Sequence, residues 1–312
     1  MTRLGYQIAN FTYPDVPAER LFPTVVAQAR EAEDSGFDTV FVMDHFYQLP
    51  MLGEPDDPMI ECYTLLSALA QHTSRVRLSS LVTGNTYRNP ALLAKTVTAL
   101  DVVSGGRAQL GIGAGWYELE HDSLGFEFGT FSDRFEKLEE ALQIIRGMLA
   151  GERPSLDGKR YRVTDALNVP APLSTIPVMI GGGGERKTLR MVAQYAELCP
   201  PSHIPRKLEA LAEHCERLGR DRAEITVTVQ TYTCMAPTHE EAVADYEAYV
   251  RRTPAAEARR GMTIIGDPDE VGARYADILA AGVDGFTVNA AANGHVPGRV
   301  SLLGETLAPL IG

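Results

Sequence analysis

The chain has 312 residues, 45% hydrophobic and 22% charged, with a net charge of −12 and a pI of about 5.1. That acidic balance argues against sequence-independent nucleic-acid binding, which needs a basic footprint, and against an anionic membrane surface. MTRLGYQIAN shows no secretory leader pattern, and no stretch approaches the ~18 apolar residues of a membrane span. Cys62, Cys199, Cys215 and Cys234 lack C-x-x-C spacing; buried thiols in a reduced, cytoplasmic setting are expected.

Strands and helices are predicted in alternation. The first strand is Leu4–Asn10, and a helix over about Pro17–Ser35 stops at Gly36. A β-branched second strand, Thr39–Met43, ends in Asp44-His45, before a Pro-, Gly- and Asp-rich loop, Phe46–Pro58. A helix over about Glu61–His72 precedes the third strand, Val76–Thr83. The next helix starts after Asn89-Pro90 and runs to Val103. The fourth strand, Arg107–Ile112, leads into GIGAGW, and Glu118, Glu120, His121 and Asp122 read as a solvated loop. A helix over about Ser132–Leu149 carries an apolar stripe of Phe135, Leu138, Leu142 and Ile145. Beyond a Pro-rich insertion lie the fifth strand, Val178–Ile180, the sixth, Glu197–Pro200, the seventh, Ile225–Tyr232, and the eighth, Gly285–Asn289. Helices are expected at about Pro205–Leu218, Glu240–Arg252, Pro268–Ala281 and Arg299–Leu310. Eight such repeats predict an α/β fold, a (β/α)8 TIM barrel forming a single domain over residues 1–312, with insertions around 45–60, 151–172 and 253–266.

The stretch Pro177–Arg190, PVMIGGGGERKTLR, reads as a strand, four glycines and a helix opening with Glu185, Arg186 and Lys187. Gly181, Gly182, Gly183 and Gly184 leave backbone N–H groups uncovered, and a helix N-terminus adds donors and partial positive charge. An anion site, most simply for a phosphate, is expected there. The loop is neither a Walker A nor a Rossmann fingerprint, because each lacks its final glycine.

Barrel active sites lie at the C-terminal ends of the strands. Those ends carry Asn10, Asp44-His45, Thr83-Gly84-Asn85, Gly113–Trp116, Gly181–Gly184, Ser202-His203, Gln230-Tyr232 and Asn289. His45 is the expected general acid or base, with Asp44 accepting a hydrogen bond from a cofactor or orienting a neighbour. Glycines of GIGAGW let a flat group approach the backbone, with Trp116 as a wall. His121 is expected on a solvated face. No histidine spacing suits a metal, and no G-x-S-x-G elbow suits a serine hydrolase.

These segments together resemble the luciferase-like flavin and deazaflavin family of barrel oxidoreductases. The resemblance rests on GFDTVFVMDHF, LVTGNTYRNPALLAK, LDVVSGGRAQLGIGAGWYELE, RFEKLEEAL and PVMIGGGGERKTLRMVAQYAE, in that order. It implies a branch that uses coenzyme F420 and often pairs as homodimers, with FMN as the alternative cofactor, and hydride exchange with a small-molecule substrate. By the same resemblance, cofactor contacts fall on Asp44, Val82, Thr83, Asn85, Gly113, Ala114, Gly115, the four glycines and Arg186. His45 would act at the transferring centre, and Trp116, Phe46 and Tyr232 would line the substrate pocket. A non-prolyl cis peptide is implied within Ser80–Thr83. Two departures argue against a sugar phosphate: the family's sugar-phosphate dehydrogenases have a tryptophan soon after Asp-His, where this chain has Phe46-Tyr47-Gln48, and a glutamate where it has Trp116.

Overall fold

The computed structural model describes residues 2–199 and 204–312. The expectations for Ser202-His203 and for Pro200 fall outside them. Contact density divides the chain into two compact units, one made of residues 1–61, 72–77 and 226–312 and the other of 62–71 and 78–225.

In the first unit the strands run in parallel in the order Thr263–Gly266, Thr226–Met235, Gly285–Asn289, Leu4–Ile8, Thr39–Val42. Leu4–Ile8, Thr39–Val42 and Gly285–Asn289 are buried along their whole length. Of these, Thr39–Val42 (TVFV) is close to the continuous apolar run expected of a strand covered on both faces, whereas Leu4–Ile8 (LGYQI) and Gly285–Asn289 (GFTVN) bury Gly, Gln, Thr and Asn as well. Helices follow from their caps. Asp267 and Glu270 form a capping box, with Pro268 at the first helical position, for Pro268–Ala280. The segment expected as an insertion at 253–266 is structured: a 3₁₀ helix, Pro254–Met262, feeds Thr263–Gly266 onto the seventh predicted strand, which extends to Met235.

In the second unit Leu78 and Ser79 pair with Ala108 and Gln109. Leu110–Ile112 pair with Val178–Ile180, and Met179 with Leu198, all in parallel. The expected third strand is broken into Arg77–Ser80 and Thr83–Gly84, and the peptide bond joining Leu81 to Val82 is cis, as the resemblance implied. Asn89 caps Pro90–Ser104 by accepting from Ala91 and Leu92 N–H, and left-handed Gly105 (φ 70°) ends it. The insertion holds a short antiparallel pair, Leu156–Asp157 with Arg162–Val163.

Two local expectations are corrected. Glu118–Leu124 is a helix, not a loop, and Glu120 and His121 are fully buried. The helix after the glycines begins at Thr188, so Glu185–Lys187 form the turn before it. All four cysteines are buried and free; burial pushes the Cys199 and Cys234 thiols up to about 12, which leaves them unreactive.

Glu33, on the helix Ala18–Asp34, ties down the turn that follows residue 72. Its carboxylate accepts from the N–H groups of Ser74 (2.9 Å), Arg75 (2.6 Å) and Val76 (2.9 Å). Burial alone would raise its pKa, but these donors outweigh it and hold the group at about 2 against an ordinary 4.5. A depressed folded-state pKa stabilises the fold above the unfolded value and is lost as pH falls. Stability is therefore expected to drop between pH 4.5 and about 2. Glu33→Gln should flatten that limb in acid-unfolding curves while lowering the melting temperature at neutral pH.

Candidate active-site residues

In the second unit the strand ends are organised by Val82. A Cβ on Gly181 would lie 2.7 Å from Val82 Cγ2, and one on Gly113 would lie 3.0 Å from the same atom. A Cβ on Gly111 would lie 2.1 Å from the Ser80 carbonyl oxygen. The glycines of GIGAGW and the first of the quartet thus admit a bulge of this same chain. Gly115, at φ +81°, leaves space for Thr86. Gly182 has φ +116°, and a Cβ on Gly184 would sit 3.1 Å from Thr188 Oγ1. Three of the quartet therefore have reasons within the chain's own packing.

Beneath the bulge runs a buried hydroxyl chain. Ser80 Oγ donates to the Gly111 carbonyl (2.8 Å), Thr83 Oγ1 donates to Ser80 Oγ (2.8 Å), and Tyr63 OH lies 2.6 Å from Thr83 Oγ1. With Thr83's proton directed to Ser80, Tyr63 is the donor to Thr83. Asn85 is 1% exposed; its amide nitrogen reaches Tyr161 OH at 3.5 Å, and its carbonyl oxygen has no partner. A buried amide oxygen without a donor is unfavourable, so this position suits a ligand N–H or O–H.

The glycine corner is more basic than its own sequence indicates. Lys207, on the helix Ile204–Leu218, donates to the Gly183 carbonyl and lies 3.6 Å from Glu185, which Arg206 also pairs at 2.9 Å. Arg186 is exposed and pairs with no carboxylate among the described residues. The Lys187 ammonium sits over the rings of Phe131 and Phe135, 5.2 and 5.3 Å from their centroids. No side chain caps the helix Thr188–Tyr195; the Gly184 carbonyl accepts from the Leu189 N–H (3.1 Å), and the helix start presents its partial positive charge. Exposed glycines 182 and 184, three cations and an uncapped helix start suit a phosphate. Lys207 was invisible in the sequence reading because it lies far along the chain from Gly183.

Behind Gly84 and Gly115 lies a cluster that the sequence reading placed in solvent. Tyr87 OH donates to Glu120, and the Tyr87 ring stacks on His121 with centroids 4.9 Å apart. His121 Nδ1 lies 2.8 Å from the Tyr117 carbonyl and Nε2 lies 2.7 Å from Thr86 Oγ1. With the carbonyl able only to accept, Nδ1 carries the proton and Thr86 donates to Nε2. Trp116 is 54% exposed and stacks on Tyr117 with centroids 5.3 Å apart, so it is not core. Ala114 is half-buried beside it.

In the first unit Asp44 is buried and His45 and Phe46 are half-buried, directly beyond Thr39–Val42. Gln7 Oε1 accepts from Gln230 (2.6 Å) and Asn289 (3.2 Å), and Asn10 donates to the Ala291 carbonyl (3.3 Å). Tyr232 lies under the Arg259 guanidinium, 4.5 Å from its ring centroid. Among the described residues no group of three or more His, Cys, Asp or Glu is placed to hold a metal, and no helix is long and apolar enough to cross a membrane.

Parallel βα repeats with glycine-rich, polar strand ends define the class of protein. The chain belongs to the luciferase-like monooxygenase family, whose sequence profile matches residues 2–285. It is similar to an F420-dependent glucose-6-phosphate dehydrogenase of Microbacterium testaceum, 31% identical over 220 residues, 68% of this chain and 64% of that protein. The match thus spans just under two thirds of that relative's length. A protein of the same name from Amycolatopsis mediterranei is 27% identical over 320 residues, 91% of each chain. Among solved structures, an F420-dependent secondary alcohol dehydrogenase in complex with an F420-acetone adduct superposes with a TM-score of 0.81 at 19% identity, covering 100% of this chain and 99% of that one. The likeness establishes the fold class as a luciferase-like (β/α)8 TIM barrel.

Proposed function

We propose that this chain is a coenzyme F420-dependent oxidoreductase acting on a small organic substrate. The observation that carries the reading is the glycine corner, where exposed backbone, an uncapped helix start and Arg186, Lys187 and Lys207 suit the phosphate of such a cofactor. Relatives named as F420-dependent dehydrogenases support the choice of deazaflavin. When bound, the deazaflavin supplies a two-electron hydride carrier. Gly181–Gly184 and Arg186 hold its phosphate. Val82, Thr83, Asn85 and the Gly113–Gly115 turn form its support, with Gly113, Gly115 and Gly181 acting through the room they leave for Val82 and Thr86. Asp44 contacts the cofactor, and His45 holds or moves the proton that accompanies the hydride. Phe46, Trp116 and Tyr232 contact substrate. The same reading has a cytoplasmic homodimer, which light scattering of the purified protein checks.

Titration of the purified chain with F420 and with FMN at moderate salt tests the cofactor. F420 is expected to bind more tightly. FMN binding tighter by tenfold, about 1.4 kcal/mol, would overturn the assignment in favour of a flavin monooxygenase. Gly183→Asp is expected to weaken F420 by about tenfold or more, because a carboxylate then opposes the phosphate; unchanged affinity would remove the corner from the site.

A further inference from the structure

Trp116 is the only tryptophan in the chain, and it is 54% exposed. Exposed side chains ordinarily swing between rotamers in picoseconds to nanoseconds. Here the backbone on both sides of the residue is held. The Gly115 carbonyl, just before Trp116, accepts from Arg134 Nε (3.1 Å). The Tyr117 carbonyl, just after it, accepts from His121 Nδ1 (2.8 Å). Each holder is itself fixed. Arg134 lies in the first turn of the helix Phe131–Leu149, which opens with a capping box of Thr130 and Asp133, and its Nη1 donates to the Gly129 carbonyl (2.9 Å). His121 is fully buried, and its Nε2 accepts from Thr86 Oγ1 (2.7 Å). Both residues also contact Phe128: the Arg134 guanidinium lies 3.9 Å from that ring's centroid, and the His121 ring 4.7 Å. Thr86 closes the circuit, because a Cβ on Gly115 would lie 2.6 Å from its Oγ1.

We infer that His121 and Arg134 are positioning residues that clamp the backbone at Trp116, so that its ring stands as a fixed wall and the Gly113–Gly115 turn keeps its place under a cofactor. An imidazole removed from water is unfavourable unless its nitrogens are bonded. An apolar residue of like volume would fill the same space without that cost. What the imidazole adds is direction. Its two bonds, at opposite edges of one flat ring, set the register between Thr86, just beyond the strand Thr83–Gly84, and Tyr117, just beyond Ala108–Gly113. Arg134 does the same from a second helix, through the Gly115 carbonyl. That the clamp serves a cofactor and a substrate rests on the oxidoreductase reading; that it holds Trp116 does not.

Time-resolved fluorescence anisotropy of the full chain without cofactor, excited where tyrosine does not absorb, reads Trp116 alone. In the unaltered chain little anisotropy is expected to be lost on the sub-nanosecond scale, despite the exposure. His121→Phe keeps a ring and loses both bonds; the rapid loss is expected to grow at least about twofold. Arg134→Met should loosen Trp116 likewise. His121→Gln, whose amide can donate to the Tyr117 carbonyl and accept from Thr86, should restore the unaltered decay. A freely swinging Trp116 in the unaltered chain overturns the inference without any variant. So does an unchanged decay in His121→Phe, or a His121→Gln chain as loose as His121→Phe. In a second arm F420 is titrated: affinity is expected to fall about threefold or more in His121→Phe and to return in His121→Gln. Equal F420 affinity in His121→Phe and the unaltered chain overturns the link to the cofactor. If F420 fails to bind the unaltered chain, the cofactor assignment falls, and the anisotropy still decides the clamp.

Discussion

His45→Ala is expected to lower kcat by about 10²- to 10⁴-fold, the usual contribution of a positioned acid or base, while F420 affinity changes little. The split between turnover and binding separates a proton-handling residue from a cofactor ligand. Asp44, buried at the end of the same strand, should show the other pattern: Asp44→Ala is expected to weaken cofactor binding. Stopped-flow measurement of deazaflavin absorbance in single turnovers, alongside equilibrium titration, reads both quantities. Full turnover in His45→Ala with normal cofactor binding would remove His45 from the proton-handling role.

Gly111→Ala is expected to be the most damaging single-methyl change in the second unit. The added carbon would sit 2.1 Å from a backbone oxygen, that of Ser80. Backbone cannot rotate away as a side chain can, so relief requires the segment ending at Ser80 to separate from Ala108–Gly113, which Ser80 Oγ also bonds through the Gly111 carbonyl. Overpacking in a close-packed interior typically destabilises by about 1–3 kcal/mol and at a rigid contact by more; a loss at the top of that range is expected. Urea unfolding of the purified variant measures it. Gly105→Ala is the control, since a Cβ there meets nothing within 4 Å and the strain comes only from φ +70°.

All eight predicted barrel strands have counterparts among the described residues: Thr39–Val42 and Val178–Ile180 are short, nearly unbroken apolar runs, whereas Thr226–Met235 alternates Thr with Val. The Asn89-Pro90 pair marked the start of Pro90–Ser104, where Asn89 is the cap; the caps at Thr130 and Asp267 are findings of the structure. Glu120 and His121 were misjudged for a physical reason. Charged side chains default to solvent, and only the distant Tyr87 and Thr86, delivered by another strand end, make their burial tolerable. Lys207 and Arg259 escaped notice likewise, since each acts on a partner remote in sequence. The glycine quartet was visible; what the sequence did not show is that Gly181 has Val82 as a close neighbour.

That contact makes residues from three separate segments interdependent. Enlarging position 113 or 181 alone meets the isopropyl group of Val82, whereas trimming Val82 to alanine first would vacate the atoms that any new methyl strikes. Alterations at these places are therefore coupled rather than additive. An effort to re-engineer the cofactor rim one residue at a time would encounter dead ends that a concerted exchange avoids.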